Sequence, residues 1–334
     1  MQLFSIKNMN KNMNILIVGL GSIGSAHAIN ACKYAGVGVV DYDKKKADNF
    51  AKKNNCMSFG NDLDRALCQK FDGVIVATPN KQHIEVATKA IESGSDVLIE
   101  KPISYKTDGV QDFLNYAKEI NRKVYVVCNM RYHPAIKILN KNLYKIGKPY
   151  FARAHYGNYL PNMRVGVDYR KLYVANKDEG GVALDAIHEL DYLSWMFGSA
   201  DHIVSDSGHI STLDINSEDY ASMLVRHSSG VRSEVHLDYI RQVKLRGCEI
   251  SGSDGLLDWS SEGKKPEHCK IRIYTKDRGW KILLQTEDLD DASSMEELIQ
   301  EFINAIQGKD NILQTGSEAL KLLENTLKVR KYEQ

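Results

Sequence analysis

The stretch Asn14–Gly24, N-I-L-I-V-G-L-G-S-I-G, decides the fold of the chain. Ile15–Val18 is a short apolar run rich in β-branched residues, which predicts a strand buried on both faces. It leads directly into Gly19, Gly21 and Gly24, spaced as G-x-G-x-x-G. This spacing is typical of a tight turn that lets a diphosphate approach the backbone at the start of a helix. The stretch therefore predicts the phosphate-binding turn of a dinucleotide-binding fold.

An acidic residue follows the glycine turn at the distance that this interpretation requires. A second apolar run, Val37–Val40, ends at Asp41, about 20 residues after the middle glycine, where a carboxylate can bind a ribose 2′-hydroxyl. A carboxylate there repels a 2′-phosphate, and the next residue is Tyr42 rather than arginine. We therefore expect NAD as the cofactor. The nearby lysines Lys44–Lys46 leave NADP possible, although we expect them to be solvated.

The composition limits the class of protein. The 334 residues carry a formal net charge of +1, a balance that argues against a dedicated surface for nucleic acid or membrane. No apolar run approaches the roughly 18 residues of a transmembrane helix. The leading residues, 1–13, lack the apolar core of a signal peptide and are expected to be an extension. The six scattered cysteines are typical of a reducing compartment, so we expect a cytoplasmic protein.

The order of predicted elements divides the chain in two. From residue 14 to about 130, strands alternate with helices, which predicts a doubly wound parallel sheet with ligands bound beyond the carboxyl ends of its strands. Asp41, Thr78, Lys101 and Asn129 all follow such strand ends. After about Pro134, strands follow one another without crossover helices and predict a mostly antiparallel sheet flanked by helices. The predicted helices of this part are Val182–Phe197, Ser294–Ile306 and Ser317–Tyr332.

We therefore expect an α/β Rossmann domain over residues 1–133 and a substrate and oligomerisation domain of the α+β type over residues 134–334. The chain contains no repeat and no low-complexity linker.

Several short motifs, taken together, resemble one known family. They are the glycine turn at Gly19–Gly24, A-T-P-N at Ala77–Asn80 with His83 after it, E-K-P at Glu100–Pro102, N-M-R-Y-H-P at Asn129–Pro134, and G-G-V-A-L-D-A-I-H-E-L-D at Gly180–Asp191. In this order they resemble the Gfo/Idh/MocA family of NAD(P)-dependent sugar and cyclitol oxidoreductases over nearly the whole chain. The resemblance implies a Rossmann domain followed by an open-faced antiparallel sheet that is often used for oligomer contacts. A homodimer or homotetramer through that sheet is therefore expected.

The residues expected to contact the cofactor come from the glycine turn and from the strand ends. They are Gly19, Gly21, Ser22, Ile23, Gly24, Asp41, Thr78, Pro79, Asn80, His83, Glu100, Lys101 and Asn129.

Lys101 is the first candidate for the chemistry. Oxidising a secondary alcohol requires a base for the hydroxyl proton and a cation near the developing alkoxide. An exposed ion pair with Glu100 is the ordinary alternative for such a lysine. Its place at the ligand-binding edge of the sheet favours a catalytic function. The resemblance implies that Lys101 contacts the substrate hydroxyl, so we assign it to orienting and polarising that group.

His188 is the second candidate. It lies on the predicted helix Val182–Phe197, with Asp185 and Asp191 three residues to either side. This spacing fits equally well a histidine that is held by neighbouring carboxylates and has no catalytic duty. The resemblance makes His188 the expected general base, with Asp185 or Asp191 holding its ring or binding a sugar hydroxyl. Many family members place the aspartate four residues before the histidine, where this chain has Leu184.

Further substrate contacts are expected from Arg131 and from Arg170 and Tyr173 in D-Y-R-K-L-Y. An arginine can bind a carboxylate or a phosphate of the substrate. Salt bridges at a domain junction are an equally good interpretation of each. His188 is followed by Glu189 but not by the second histidine of H-E-x-x-H, so no metal is expected.

The sequence therefore predicts an NAD-dependent dehydrogenase or reductase that acts on a carbohydrate-like small molecule: a sugar, a sugar derivative such as a nucleotide sugar, or a cyclitol. Two other hypotheses remain. One is a non-catalytic NAD-binding sensor or regulatory protein of the same fold, which has no need of a base. The other is a reductase of an imine or a bilin-like double bond, which needs a proton donor but no site for sugar hydroxyls.

Overall fold

The computed structural model describes residues 13–164, 166–261, 268–287, 289 and 292–330, and within them two compact units. The first unit contains the described residues up to Ser104, together with Asp108–Val127 and Met295–Ser317. The second contains Tyr105–Thr107, Cys128–Ser294 and the described residues from Glu318 onward. The chain thus returns to the first unit after residue 294, whereas the sequence pattern predicts a single domain over residues 134–334.

The regular elements alternate between strands and helices in the first third of the chain, and strands dominate the middle. The strands are β1 (Asn14–Val18), β2 (Gly36–Val40), β3 (Met57–Ser58), β4 (Gly73–Val76), β5 (Asp96–Ile99), β6 (Val124–Val126), β7 (Pro149–Gly157), β8 (Ala200–Gly208), β9 (Tyr220–His227), β10 (Arg232–Asp238), β11 (Leu245–Gly252), β12 (Gly255–Ser261), β13 (Cys269–Thr275), β14 (Gly279–Thr286) and β15 (Gln314–Thr315). The α-helices are α1 (Ser22–Ala31), α2 (Lys44–Asn54), α3 (Leu63–Leu67), α4 (His83–Glu92), α5 (Val110–Glu119), α6 (Pro134–Asn142), α7 (Val182–Asp185), α8 (His188–Phe197), α9 (Ala292–Ile306) and α10 (Gly316–Val329).

The first unit is built on a doubly wound sheet, as the alternating pattern predicts. Its strand order is β15-β6-β5-β4-β1-β2-β3 within the described part of the chain. The pairs among β1 to β6 are parallel, and only the short β15 runs antiparallel, against β6. Ile15, Ile17 and Leu98 are fully buried, which explains why these strands read as continuous apolar runs. The carboxyl ends of β1, β2, β4 and β5 therefore lie along one edge of the sheet.

The second unit is built on a mostly antiparallel sheet, also as predicted. In the described residues its order is β14-β13-β12-β11-β7-β10-β9-β8, and the β7–β10 pair is parallel. One face is covered by a core that includes Tyr192, Leu193 and Tyr239, each fully buried. The opposite face carries a row of side chains in register across all the strands. From β8 to β14 this row is Val204, Leu224, Glu234, Arg153, Glu249, Asp258, Arg272 and Ile282.

Several details differ from the sequence prediction. The helix predicted over Val182–Phe197 is two helices, α7 and α8, separated at Ala186 and Ile187. The strands β8 and β14 were not predicted, because both lie at the edges of the sheet and lack a clear alternation of buried and exposed residues. The predicted end of the last helix, at Tyr332, lies outside the described residues; the described helix ends at Val329. No helix in the described ranges has the length and apolarity needed to cross a membrane.

Candidate active site

The glycine turn leaves a space on the outside of the first unit. Gly19 has φ +94°, and a Cβ on it would lie 2.5 Å from the carbonyl oxygen of Ala77. A Cβ on Gly24 would collide with the carbonyl oxygen of Gly19, so both positions require glycine for packing. A Cβ on Gly21 would meet no described atom within 4 Å, and its φ of −57° suits any residue. The space outside Gly21 is therefore not filled by any described residue, as expected where a diphosphate approaches the backbone.

Asp41 joins the glycine turn to the end of β2. Its side chain is only 4% exposed; Oδ2 accepts the Leu20 N–H at 2.7 Å and Oδ1 accepts the Asp43 N–H at 2.9 Å. Each carboxylate oxygen has a second lone pair with which to accept a ribose hydroxyl. Lys46, which we expected to be solvated, places its ammonium 3.6 Å from Oδ2 of Asp41. The next residue, Tyr42, is 92% exposed. The residues of this corner fit the adenosine half of NAD.

His83 connects the two loops that follow β4 and β5. It is fully buried, and its Nε2 and Nδ1 each lie 2.9 Å from a carbonyl oxygen, of Thr78 and Pro102 respectively. Burial lowers the pKa of His83, although these carbonyls and Glu100 oppose the shift. Predicted as a cofactor contact, His83 has both ring nitrogens directed at the backbone. We infer that it positions the two loops.

Glu100 and Lys101 follow β5 directly. Oε2 of Glu100 accepts the backbone N–H of Lys101 at 3.1 Å, and Oε1 lies 2.6 Å from Nε2 of His27 on α1. Burial raises the pKa of Glu100, but the hydrogen bond to His27 and the positive charges around it outweigh burial, so this pKa lies below its ordinary value. Lys101 itself is half-buried. The carboxylate of Glu100 therefore stays ionised and holds the backbone from which the Lys101 side chain extends.

His27 was not among the residues predicted from the sequence. It is fully buried on the face of α1 that also contains Gly24, Ala28 and Ala31. Its Nδ1 is buried and has no hydrogen-bond partner among the described residues. A proton on Nε2, donated to Glu100, leaves no buried N–H unpaired, so this tautomer fits the geometry. The helical spacing predicts that His27 is buried and needs a partner, but no local signal identifies Glu100, 73 positions away.

In the second unit, the glycine directly before α7, Gly181, is explained by one carboxylate. Gly181 has φ +98°, and a Cβ on it would collide with the carboxylate of Glu218. Oε1 of Glu218 accepts the Ala183 N–H at 3.3 Å, and its backbone carbonyl accepts the Val182 N–H at 3.0 Å. Arg330 donates to the same carboxylate oxygen at 3.0 Å. The start of α7 is therefore fixed by a buried acidic side chain at the positive end of the helix.

The segment from Gly181 to Leu193 presents two polar side chains. Every residue in it is described, and every one is buried except Asp185 and His188, which are half-buried. Oδ1 of Asp185 accepts the hydroxyl of Tyr173 at 2.8 Å. Asp185 on α7 and His188 on α8 are therefore both partly exposed, although the break lies between them.

Two buried ion pairs hold the first turn of α8. Glu189, fully buried, accepts from Nε of Arg246 on β11 at 2.6 Å. Asp191, 1% exposed, binds the guanidinium of Arg131 through both oxygens, the shortest contact being 2.7 Å. Burial lowers the pKa of Arg131, but Asp191 outweighs it and holds this pKa above its ordinary value. The orientation of His188, the first residue of α8, is therefore set by ion pairs on two sides.

This arrangement bears on the predicted substrate residues. Arg131 and Asp191, both predicted as substrate contacts, are buried and bind each other, and we infer that they position the helix. Arg170 is 55% exposed and lies 2.8 Å from Asp168 and 3.5 Å from Asp214. Asn129, predicted at a strand end, is half-buried in a 3-10 turn three residues after β6. The Glu189–Arg246 pair was not predicted, since nothing in the sequence connects a helix carboxylate with a strand arginine 57 positions away.

The described residues contain no group of three or more His, Cys, Asp or Glu side chains arranged to hold a metal ion. The first unit provides a glycine turn and a lysine at a strand end, and the second provides Asp185 on α7 and His188 on α8.

Comparison with known proteins adds the family. Residues 13–128 match the model described as the oxidoreductase family NAD-binding Rossmann fold, GFO_IDH_MocA. Residues 144–258 match the GFO/IDH/MocA C-terminal domain.

The chain is also similar to individual proteins. An uncharacterized oxidoreductase of Synechocystis sp. is 26% identical over 284 residues, which cover 79% of this chain and 76% of the relative. The UDP-N-acetylglucosamine 3-dehydrogenase of Acidithiobacillus ferrooxidans is 31% identical over 134 residues, which cover 39% of this chain and 41% of the relative.

Solved structures share the whole fold. A structure of the Acidithiobacillus ferrooxidans enzyme superimposes with a TM-score of 0.76 at 22% identity, covering 95% of this chain and 96% of that one. A levoglucosan dehydrogenase in complex with NADH and levoglucosan superimposes with a TM-score of 0.81 at 16% identity, covering 95% of each chain. With both of its domains matched, the chain belongs to the Gfo/Idh/MocA oxidoreductase family, and its first domain is an NAD-binding Rossmann fold.

Proposed function

We propose that the protein is an NAD-dependent oxidoreductase that transfers hydride between the nicotinamide and a secondary alcohol of a sugar, a sugar derivative such as a nucleotide sugar, or a cyclitol. The observation that carries this proposal is the exposure pattern of the segment from Gly181 to Leu193, where Asp185 and His188 alone reach the surface of an otherwise buried stretch. Relatives named for oxidation of UDP-N-acetylglucosamine and levoglucosan support the substrate class.

The proposed roles follow from the chemistry of each group. Bound NAD accepts the hydride when the alcohol is oxidised. His188 takes the hydroxyl proton as general base, and Asp185 holds its ring or binds a neighbouring hydroxyl of the substrate. The ammonium of Lys101 orients that hydroxyl and favours the developing negative charge on its oxygen. For reduction of a ketone the same groups act in reverse, with His188 returning the proton.

Tyr173 extends this proposal. Its hydroxyl donates to Oδ1 of Asp185 at 2.8 Å and so fixes one oxygen of the carboxylate. Tyr173 therefore orients Asp185, and we propose this positioning role in place of direct substrate binding. Arg170, which is exposed and carries two acidic neighbours, is proposed to contact a charged substituent of the substrate.

The outward face of the second sheet is proposed as the surface through which copies of the chain associate. Leu224 and Trp280 are 61% and 53% exposed on this face, and ion pairs such as Arg153–Glu234, at 2.9 Å, lie between its apolar ends. Exposed apolar side chains that share one face of a sheet are typical of association surfaces. Light scattering on the wild type and on Leu224→Asp tests this: the wild type is expected to be an oligomer and the variant a smaller species.

The function is tested by a substrate screen. The protein is mixed with NAD and, in parallel, with NADP, and with nucleotide sugars, sugar phosphates, anhydrosugars and inositols, and the absorbance of the reduced cofactor is followed. We expect NAD reduction with at least one polyol and none without substrate. Tight NAD binding with no hydride transfer to or from any polyol would instead favour the non-catalytic sensor.

A further inference from the structure

Two cysteines of the first unit lie side by side. The sulfurs of Cys32 and Cys56 are 3.0 Å apart, although the residues are 24 positions apart in the sequence. Both are reduced thiols, and both residues are half-buried rather than enclosed in the core. In a disulfide the sulfurs are about 2.05 Å apart, so a bond requires them to approach by only about 1 Å.

The ends of two helices bring these thiols together. Cys32 is the residue that ends α1, and its N–H donates to the carbonyl of Ala28 at 3.0 Å. Asn55 ends α2 in the left-handed conformation, φ 54°, and turns the chain so that Cys56 N–H donates to the Ala51 carbonyl. The backbone of each cysteine is therefore held by a helix-end hydrogen bond, and these two bonds keep the sulfurs next to each other.

We propose that Cys32 and Cys56 form a reversible disulfide, a thiol–disulfide exchange site that takes a low-molecular-weight disulfide such as oxidised glutathione as its oxidant. One thiolate attacks the glutathione disulfide, which forms a mixed disulfide and releases one reduced glutathione. The neighbouring cysteine, as thiolate, then attacks the protein cysteine's sulfur in the mixed disulfide. This forms the Cys32–Cys56 bond and releases the second glutathione. The two protein thiols are oxidised, one glutathione disulfide is reduced to two thiols, and the two protons of the protein thiols are transferred to them.

The other cysteines provide the contrast. Cys128, Cys248 and Cys269 are buried, and burial raises the pKa of Cys248 well above its ordinary value and that of Cys269 to about 11. A thiol that stays protonated is a poor nucleophile. Cys68 is exposed and serves as a matched control for a reactive surface thiol.

The bond would join the ends of α1 and α2, both of which contact β2, the strand that Asp41 follows. A cross-link of this kind stabilises the folded chain by restricting the unfolded one. The thermal midpoint is therefore expected to rise on oxidation and to return when the bond is reduced.

The test uses the full-length folded protein in buffers of increasing oxidised-to-reduced glutathione ratio. Samples are quenched with a thiol-blocking reagent and digested with trypsin without reduction. The expected product is a peptide in which residues 12–33 are linked to residues 54–65, two hydrogens lighter than the two peptides together, and absent after treatment with dithiothreitol. It should form at a glutathione disulfide fraction ~10-fold lower than in urea-unfolded protein, because folding holds the sulfurs together.

Three variants complete the test. Cys32→Ser and Cys56→Ser should each lose the linked peptide and carry glutathione on the remaining cysteine, whereas Cys68→Ser should keep it. The proposal is overturned if folded wild-type protein gives no linked peptide at any ratio while Cys68 is glutathionylated. It is equally overturned if the link forms only in urea.

Discussion

His27 and Glu100 form a part-buried contact of 2.6 Å between the first helix of the dinucleotide-binding unit and the loop that contains Lys101. The second oxygen of Glu100 receives the backbone N–H of Lys101. The phosphate-binding turn and the proposed catalytic lysine are therefore connected through one carboxylate. A charge-assisted hydrogen bond of this length is among the stronger polar contacts in a protein interior.

Glu100→Gln tests this connection. The amide keeps the size of the side chain but loses the charge that His27 and Lys101 share, so the loop is expected to hold Lys101 less well. We expect kcat to fall by about 10-fold or more, with little change in KM or in the dissociation constant of NAD. His27→Asn should give the same pattern, and Glu92→Gln, at an exposed position on α4, should leave kcat unchanged. Equal loss of NAD affinity and kcat would contradict a positioning role.

Asp41 is expected to set the choice of cofactor. Replacing it by serine removes the charge that repels a 2′-phosphate and leaves Lys46, now 3.6 Å from Asp41, available to attract one. We expect the ratio of kcat/KM for NAD to that for NADP to fall by roughly 100-fold. Most of this fall is expected to come from a lower kcat/KM for NAD. The ratio is measured with both cofactors on the same substrate. An unchanged ratio would show that Asp41 does not contact the ribose.

The Arg131–Asp191 pair is expected to contribute to stability only as a pair. Arg131→Met leaves the Asp191 carboxylate buried without its counter-ion and is expected to lower the free energy of unfolding by about 3–5 kcal/mol. The double variant Arg131→Met, Asp191→Leu removes both charges and should lose less than either single variant. The exposed Arg170→Met should change stability by less than about 1 kcal/mol. Urea titration measures Arg131→Met, Asp191→Leu, the double variant and Arg170→Met, and strictly additive losses for the first three would contradict the coupling.

His83 is expected to make stability depend on pH. Its pKa is lowered in the folded protein by burial, so below about pH 6.5 the unfolded chain binds a proton that the folded chain does not. The free energy of unfolding therefore falls as pH decreases from about 6.5 towards the folded pKa, by up to about 1.4 kcal/mol per pH unit for this group. In His83→Gln the free energy of unfolding should fall less as pH decreases over this range. The variant His202→Gln, at an exposed position, should show the same fall as the wild type. An unaltered slope in His83→Gln would contradict the assignment.

Local signals in the sequence predict the first unit well. Ile15–Val18, the glycine spacing and Asp41 each have a physical reason that lies within about 25 residues, and the structure confirms the strand, the turn and the parallel sheet. The successive strands expected after about Pro134 are likewise present, among them β7, β10 and β13. The sequence did not predict the short strand β15, because its two residues carry no periodic pattern.

Contacts between distant parts of the chain are what the sequence does not reveal. No proline lies between α7 and α8 to predict the break in the helix. α8 is held by ion pairs with Arg131 and Arg246, which come from other elements. His27 and Glu100 are 73 residues apart, and the two cysteines meet only because two helices end side by side. In each case the tertiary fold, rather than local propensity, selects the partner.

The central claim is that Lys101 and His188 handle the proton of the substrate hydroxyl. It is tested most directly by measuring kcat and the dissociation constant of NAD for the wild type, Lys101→Ala and His188→Ala, on the polyol identified by the screen. We expect each variant to bind NAD within about threefold of the wild type and to lose turnover by roughly 10²–10⁴-fold, the usual contribution of a positioned acid or base. Wild-type turnover in either variant would contradict the account.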